Sequence, residues 1–138
     1  MERLSKIKFY LSIAKEVSKA SYCERSKVGA IIVKEDNIIS FGYNGTPSGW
    51  DNVCEDLNFI TKSEVIHAEA NALMKLTRST DSSDGATLFC THTPCIECAK
   101  LIYQAGIETV VYQHEYEASK GNGGIFRQSE RRMGKKDW

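Results

Sequence analysis

The sequence predicts an α/β fold in three layers, with helices on both faces of a mixed sheet of four or five strands. Three observations carry this expectation. Short apolar runs alternate with stretches of helical rhythm, the order expected of a sheet covered by helices. The first two apolar runs are separated by only four residues, so they pair antiparallel. The last two flank a helix with short joints, so they pair parallel through a right-handed crossover. At 138 residues the chain fits one domain, residues 1–138, and it contains no internal repeat.

Taken in order, apolar residues at Leu4, Ile7, Leu11 and Ala14 predict an amphipathic helix over about 3–20. Val28 to Val33 is nearly continuously apolar and reads as a strand. Lys34 to Asn37 turns the chain, and Ile38 to Tyr43 returns as a second strand. Asn44-Gly-Thr-Pro-Ser-Gly49 is a dense run of turn formers and opens an irregular segment to about Ser63; a loop of that length in a compact domain is usually functional. His67 to Leu76 reads as a helix, Ala86 to Thr91 as a strand, Cys95 to Gln104 as a helix stopped by Gly106, and Ile107 to Tyr112 as a strand. From Gly121 the chain is basic, with Arg127, Arg131, Arg132, Lys135 and Lys136 against Glu130 and Asp137.

Composition narrows the partners. Lys and Arg balance Asp and Glu at 18 each, so no global basic field draws the chain to nucleic acid or anionic lipid. Charges at Glu2, Arg3, Lys6, Lys8, Lys15 and Glu16 interrupt any signal-like or spanning run near the N-terminus. The expectation is a cytoplasmic protein with no membrane or nucleic-acid partner. In a reducing compartment its five cysteines are poor disulfide candidates. Cys23, Cys54 and Cys90 read as small buried side chains, whereas Cys95 and Cys98 form a C-x-x-C suited to metal or redox chemistry.

The chemistry concentrates in His67-Ala-Glu69 and Pro94-Cys95-x-x-Cys98. One imidazole and two thiolates are donors that zinc prefers. Three protein ligands leave a coordination position open, as in catalytic sites, where zinc lowers the pKa of bound water to about 7. Deamination also needs protons delivered to a ring nitrogen and to the departing amine. Glu69, two residues from a ligand and not needed as one, suits that task. Residues two apart do not share a helix face, so His67 and Glu69 converge only if a helix starts at them. A structural zinc site and a redox C-x-x-C are the competing readings. A structural site closes with a fourth Cys or His, and only Cys90 and His92 lie near.

The H-A-E and P-C-x-x-C pair resembles the zinc cytidine deaminase superfamily, and so implies a cytidine deaminase-like fold. Gly42-Tyr-Asn-Gly-Thr-Pro-Ser-Gly49, with Ser21-x-Cys23-x-Arg25-x-x-Val28-Gly-Ala30 upstream, resembles the deoxycytidylate (dCMP) deaminases, including phage-encoded ones. The resemblance covers residues 5 to 113. It implies zinc on His67, Cys95 and Cys98, proton transfer by Glu69, a contact from the Ala68 backbone to the pyrimidine carbonyl and from Asn44 to a sugar hydroxyl. Thr93, Pro94 and Arg25 complete the expected substrate set. It further implies hydrolysis of dCMP to dUMP and ammonia, supplying dUMP for thymidylate synthesis, in a homo-oligomer, often a hexamer, in the host cytoplasm if phage-encoded. Activation by dCTP and inhibition by dTTP, bound with Mg2+ near Gly42, Tyr43, Asn44, Gly45 and Lys27, would follow.

His92 and Tyr112 sit at strand ends, as pocket residues or as packing. Arg25 and Lys27 suit phosphate, or are simply solvated. Relatives carry one more strand after the last helix, whereas this chain ends at Met133-Gly-Lys-Lys-Asp-Trp138, which leaves the fifth strand open. Two rival functions are a tRNA or single-strand deaminase, which needs a basic channel and stacking aromatics, and a non-catalytic zinc module, which has no use for Glu69.

Overall fold

A computed structural model describes residues 2–116, 122–125 and 131–135. The elements are α1 (Arg3–Ser18), β1 (Gly29–Lys34), β2 (Asn37–Tyr43), α2 (Ala68–Leu76), β3 (Thr87–His92), α3 (Ile96–Gln104), β4 (Thr109–His114), a 3-10 turn (Asn122–Ile125) and β5 (Arg132–Lys135). The sheet order is β2-β1-β3-β4-β5. β1 pairs antiparallel with both β2 and β3, whereas β3, β4 and β5 are parallel. The predicted hairpin and the predicted parallel pair are both present.

Alternation along the strands divides the apolar residues between two helical layers. Ala30, Ile32, Leu88, Cys90, Val110 and Tyr112 face α2 and α3, where Ala72 and Ile102 meet them. Ile31, Val33, Phe89 and Val111 face the other way, onto Ile7, Tyr10, Leu11 and Ala14 of α1. A strand covered on both faces reads as continuous apolar sequence, which is why Val28 to Val33 shows no alternation. Burying side chains such as Ile31, Ile32 or Leu88 contributes about 1.5–3 kcal/mol each.

Two glycines set the spacing of the layers. A Cβ on Gly29 would overlap the Ala14 carbonyl and the Ser18 amide of α1. On Gly42 it would overlap the Ala68 carbonyl and the Ala72 amide of α2. Gly42 therefore lets the first turn of α2 rest directly on β2, and that turn carries Glu69.

One expectation changes, and one open point is settled. Cys23 and Cys54, read as separate thiols, form a disulfide with Cα atoms 5.1 Å apart. They are 31 residues apart in sequence, and only the folding back of the 44–66 segment brings them together. The sheet has its fifth strand. Arg132-Met-Gly-Lys135 has no apolar run to announce it, and it is held by parallel pairing to β4 and by Met133 packing on the core. The guanidinium of the adjoining Arg131 lies 3.5 Å over the Tyr103 ring and donates to the Tyr103 carbonyl at 2.9 Å. Arg127 and Lys136 of the basic tail lie outside the described residues. Among the described residues no helix is long and apolar enough to cross a membrane.

Candidate active site and metal centre

The chemistry-bearing residues gather where β3 and β4 end, β1 begins and β2 ends, the rim at which open α/β sheets bind ligands. His67 has extended backbone (φ −69°, ψ 154°) and caps α2, so the helix begins at Ala68. This break lets His67 and Glu69 approach one another. Cys95 is likewise extended (φ −67°, ψ 168°) and caps α3, its Sγ accepting from the Cys98 amide. Two helix N-termini thus converge, and their partial positive charge favours thiolate and anionic oxygen.

The His67 Nδ1 lies 3.4 Å from the Cys95 Sγ and 3.3 Å from the Cys98 Sγ. Donors around one tetrahedral zinc stand roughly 3.5 Å apart given bonds of about 2.0–2.3 Å, so the set fits that ion. Among the described residues the three donors form a group without a fourth Cys, His or carboxylate ligand. Hydrogen bonds from Cys98 and His67 hold the Cys95 thiol down to about 3. The hydrogen bond to Cys95, with burial behind it, pushes the Cys98 thiol up, and the bond to Cys95 raises His67. The three donors are thus gathered before any ion binds, and a divalent cation taking them would displace the protons they hold. Glu69 is only 4% exposed, and burial raises its carboxyl above the ordinary range.

A cavity of about 170 Å³ opens onto these groups. Of the predicted residues, Asn44, His67, Ala68, Glu69, His92, Thr93 and Cys95 line it. Burial lowers His92, helped by His114, so it presents a neutral ring. Cys98 is buried beside the cavity, and Pro94 is buried with its carbonyl accepting from Asn122 at 3.0 Å. Tyr112 packs in the core beneath the α2 and α3 layer and does not reach the cavity wall. Arg25 is exposed outside it, its amide donating to Glu55. Lys27 donates to the Ser21 carbonyl and faces a separate groove beside α1. Gly42, Tyr43 and Gly45 line a second cavity of about 330 Å³, with Asn71 and Lys75, and Asn44 belongs to both cavities. The sequence reading missed Ser26, Thr61, Val65 and Tyr116 in the first cavity. Tyr116 had a signal, since it lies two residues past the end of a parallel strand.

Residues 4–114 match the model of the cytidine and deoxycytidylate deaminase zinc-binding region. The chain belongs to this family. The deaminase is 39% identical over 121 residues to the deoxycytidylate deaminase of Mycobacterium phage D29, covering 78% of this chain and 93% of the relative. It is 32% identical to that of Enterobacteria phage T4, covering 93% and 92%. Among solved structures it is similar to the dCMP deaminase of cyanophage S-TIM5 in complex with dCMP and dUMP, at TM-score 0.91 and 43% identity over 98% of each chain. The likeness over 98% of the chain agrees with the five-stranded sheet.

Proposed function

We propose that this deaminase hydrolyses dCMP to dUMP and ammonia, supplying dUMP for thymidylate synthesis. The observation that carries the reading is the buried Glu69 carboxyl beside a three-donor cluster at the floor of a base-sized cavity. The likeness to a dCMP deaminase solved with dCMP and dUMP supports the substrate.

His67, Cys95 and Cys98 would hold zinc, which when bound lowers the pKa of a water to about 7. Glu69 moves one proton from the attacking water to the neighbouring ring nitrogen and a second from the added hydroxyl to the departing amine. Its carboxyl, raised by burial, suits both accepting and releasing a proton. The Ala68 amide stands at the start of α2, where helix N–H groups are unpaired, and meets the pyrimidine carbonyl. Asn44 at the rim contacts the sugar. Thr93 and His92 complete the wall, and Arg25 serves the phosphate in this reading. Turnover assays on cytosine, deoxycytidine, dCMP and dCTP test this. Preference for dCMP supports it, and equal turnover of deoxycytidine overturns the nucleotide assignment.

The second cavity supports an effector role for the Gly42–Gly49 loop. Its wall shares Asn44 with the catalytic cavity, and Lys75 supplies a cation for phosphate. dTTP with Mg2+ inhibits and dCTP activates in this reading, whereas Lys27, facing the groove beside α1, lies outside that cavity. Exposed Trp50, Leu57, Phe59 and Ile60 support assembly as a homo-oligomer, the hexamer being what the family resemblance implies. Saturation curves for dCMP with each triphosphate, and light scattering of the assembly, test these points. Curves unmoved by either triphosphate dismiss the regulation alone.

A further inference from the structure

Tyr116 is held at three points by two parts of the chain, the end of β3 and the segment before β1. Its ring stacks on His92, with centroids 4.7 Å apart and planes 12° from parallel. Its backbone N–H donates to Thr93 Oγ1 at 3.3 Å. Its hydroxyl lies 2.6 Å from Ser26 Oγ, a residue 90 positions earlier, in the segment between α1 and β1. The backing is itself fixed: His92 Nδ1 is 2.8 Å from Thr91 Oγ1, which accepts the Gly29 amide at 3.2 Å. Tyr116 is nevertheless 39% exposed, and both it and Ser26 line the catalytic cavity.

A surface hydroxyl pair of this kind contributes little to stability. Its position matters more, because it joins the end of β4 to the segment before β1 and so closes the rim of the cavity on one side. We infer that the Ser26–Tyr116 hydroxyl pair is a latch that positions the pyrimidine nucleotide. Closed, it sets the Tyr116 ring as a fixed wall and holds the base against Glu69. Open, the ring swings off His92 and the product leaves. The latch rests on the proposed substrate. Its residues act on binding, while proton transfer stays with Glu69.

The test is a double-mutant cycle on the zinc-loaded enzyme. Tyr116→Phe keeps the stacked ring and removes the hydroxyl, and Ser26→Ala removes the partner. Each is expected to raise the KM for dCMP roughly 3- to 10-fold, the worth of one hydrogen bond, with kcat unchanged or higher. The double variant should match either single one, since both break the same contact. Ser26→Thr, which keeps a hydroxyl, should restore KM. Unchanged KM in both single variants, or effects that multiply in the double, overturns the latch. Zinc content and melting temperature are measured on every variant, and a fall in kcat at intact zinc also counts against it. Should the wild-type enzyme not turn over dCMP, the substrate assignment fails. The latch is then read from calorimetric binding of dUMP, where the same non-additive weakening supports it and no binding overturns it.

Discussion

Asn44 and Val28 hold each other by two hydrogen bonds: Asn44 Oδ1 accepts the Val28 amide at 2.9 Å, and the Asn44 amide donates to the Val28 carbonyl at 3.3 Å. Asn44 Nδ2 also donates to the Ser26 carbonyl at 2.8 Å, leaving one of its two hydrogens for a ligand. Asn44→Ala should lower the melting temperature by roughly 3–10 °C through the lost hydrogen bonds and raise the KM for dCMP. Calorimetry and steady-state kinetics on one preparation check both. A variant that melts normally removes Asn44 from the frame of the site.

Glu69→Gln preserves shape and burial but cannot accept a proton. Turnover should fall about 10²–10⁴-fold while zinc content stays at the wild-type level. Metal analysis beside the rate assay separates the two effects, and turnover within tenfold of wild type would remove Glu69 from proton transfer.

Cys98→Ser should lose both zinc and stability, because Cys98 is one of three donors and is buried where α3 starts. Zinc should also leave as pH falls, since protons compete for the thiolates and for the His67 nitrogen. A chromogenic chelator titrated from neutral to acidic pH reports the release. Retention of stoichiometric zinc by Cys98→Ser would contradict the donor set.

Gly42→Ala forces α2 off β2 and should cost about 1–3 kcal/mol in urea unfolding, with weaker zinc retention. Gly45→Ala is the control, because a Cβ there meets nothing within 4 Å. If both variants unfold at the same urea concentration, the close contact of α2 with β2 is unimportant.

The Cys23–Cys54 bridge closes 31 residues of chain. Chain entropy gives such a closure about 3–4 kcal/mol, so a thiol reductant or Cys54→Ser should lower the melting temperature. Alkylation and peptide mass mapping confirm which cysteines reacted. Equal melting with and without reductant would show that the bridge bears no load.

Most of the candidate site was legible because its signals are local. A helix cap, a proline before a helix and a C-x-x-C each place their residues within a few positions: His67, Cys95 and Cys98 gather into one group, with Glu69 lining the same cavity. The strands of the double-covered sheet were legible as apolar runs, although β3 and β4 extend further than those runs, to His92 and His114. What was hidden depends on contacts between distant segments. The Cys23–Cys54 bridge and the Ser26–Tyr116 pair leave no mark of spacing. β5 hid for another reason: with Gly134 at its centre and basic residues at each end, its stability comes from pairing and from Arg131, not from an apolar pattern. Tyr112 ends the apolar run of β4, and burial in the core claims its side chain before the rim can.

Gly29 and Gly42 belong to neighbouring rungs of one hairpin, where Gly29 pairs with Tyr43 and Ala30 with Gly42. One glycine seats α1 on one side of the sheet and the other seats α2 on the opposite side. A few ångströms of backbone thus act as the datum for both outer layers. Anyone redesigning this enzyme for a different base has freedom in the segments that hang from the rim, 44–66 and 114–116. Apart from Asn44, Cys54 and Tyr116, side chains there can be exchanged without resetting the thickness of the molecule. At the glycine rungs that freedom vanishes, since one added methyl group moves an entire helix and, on the α2 side, carries Glu69 away from His67, Cys95 and Cys98.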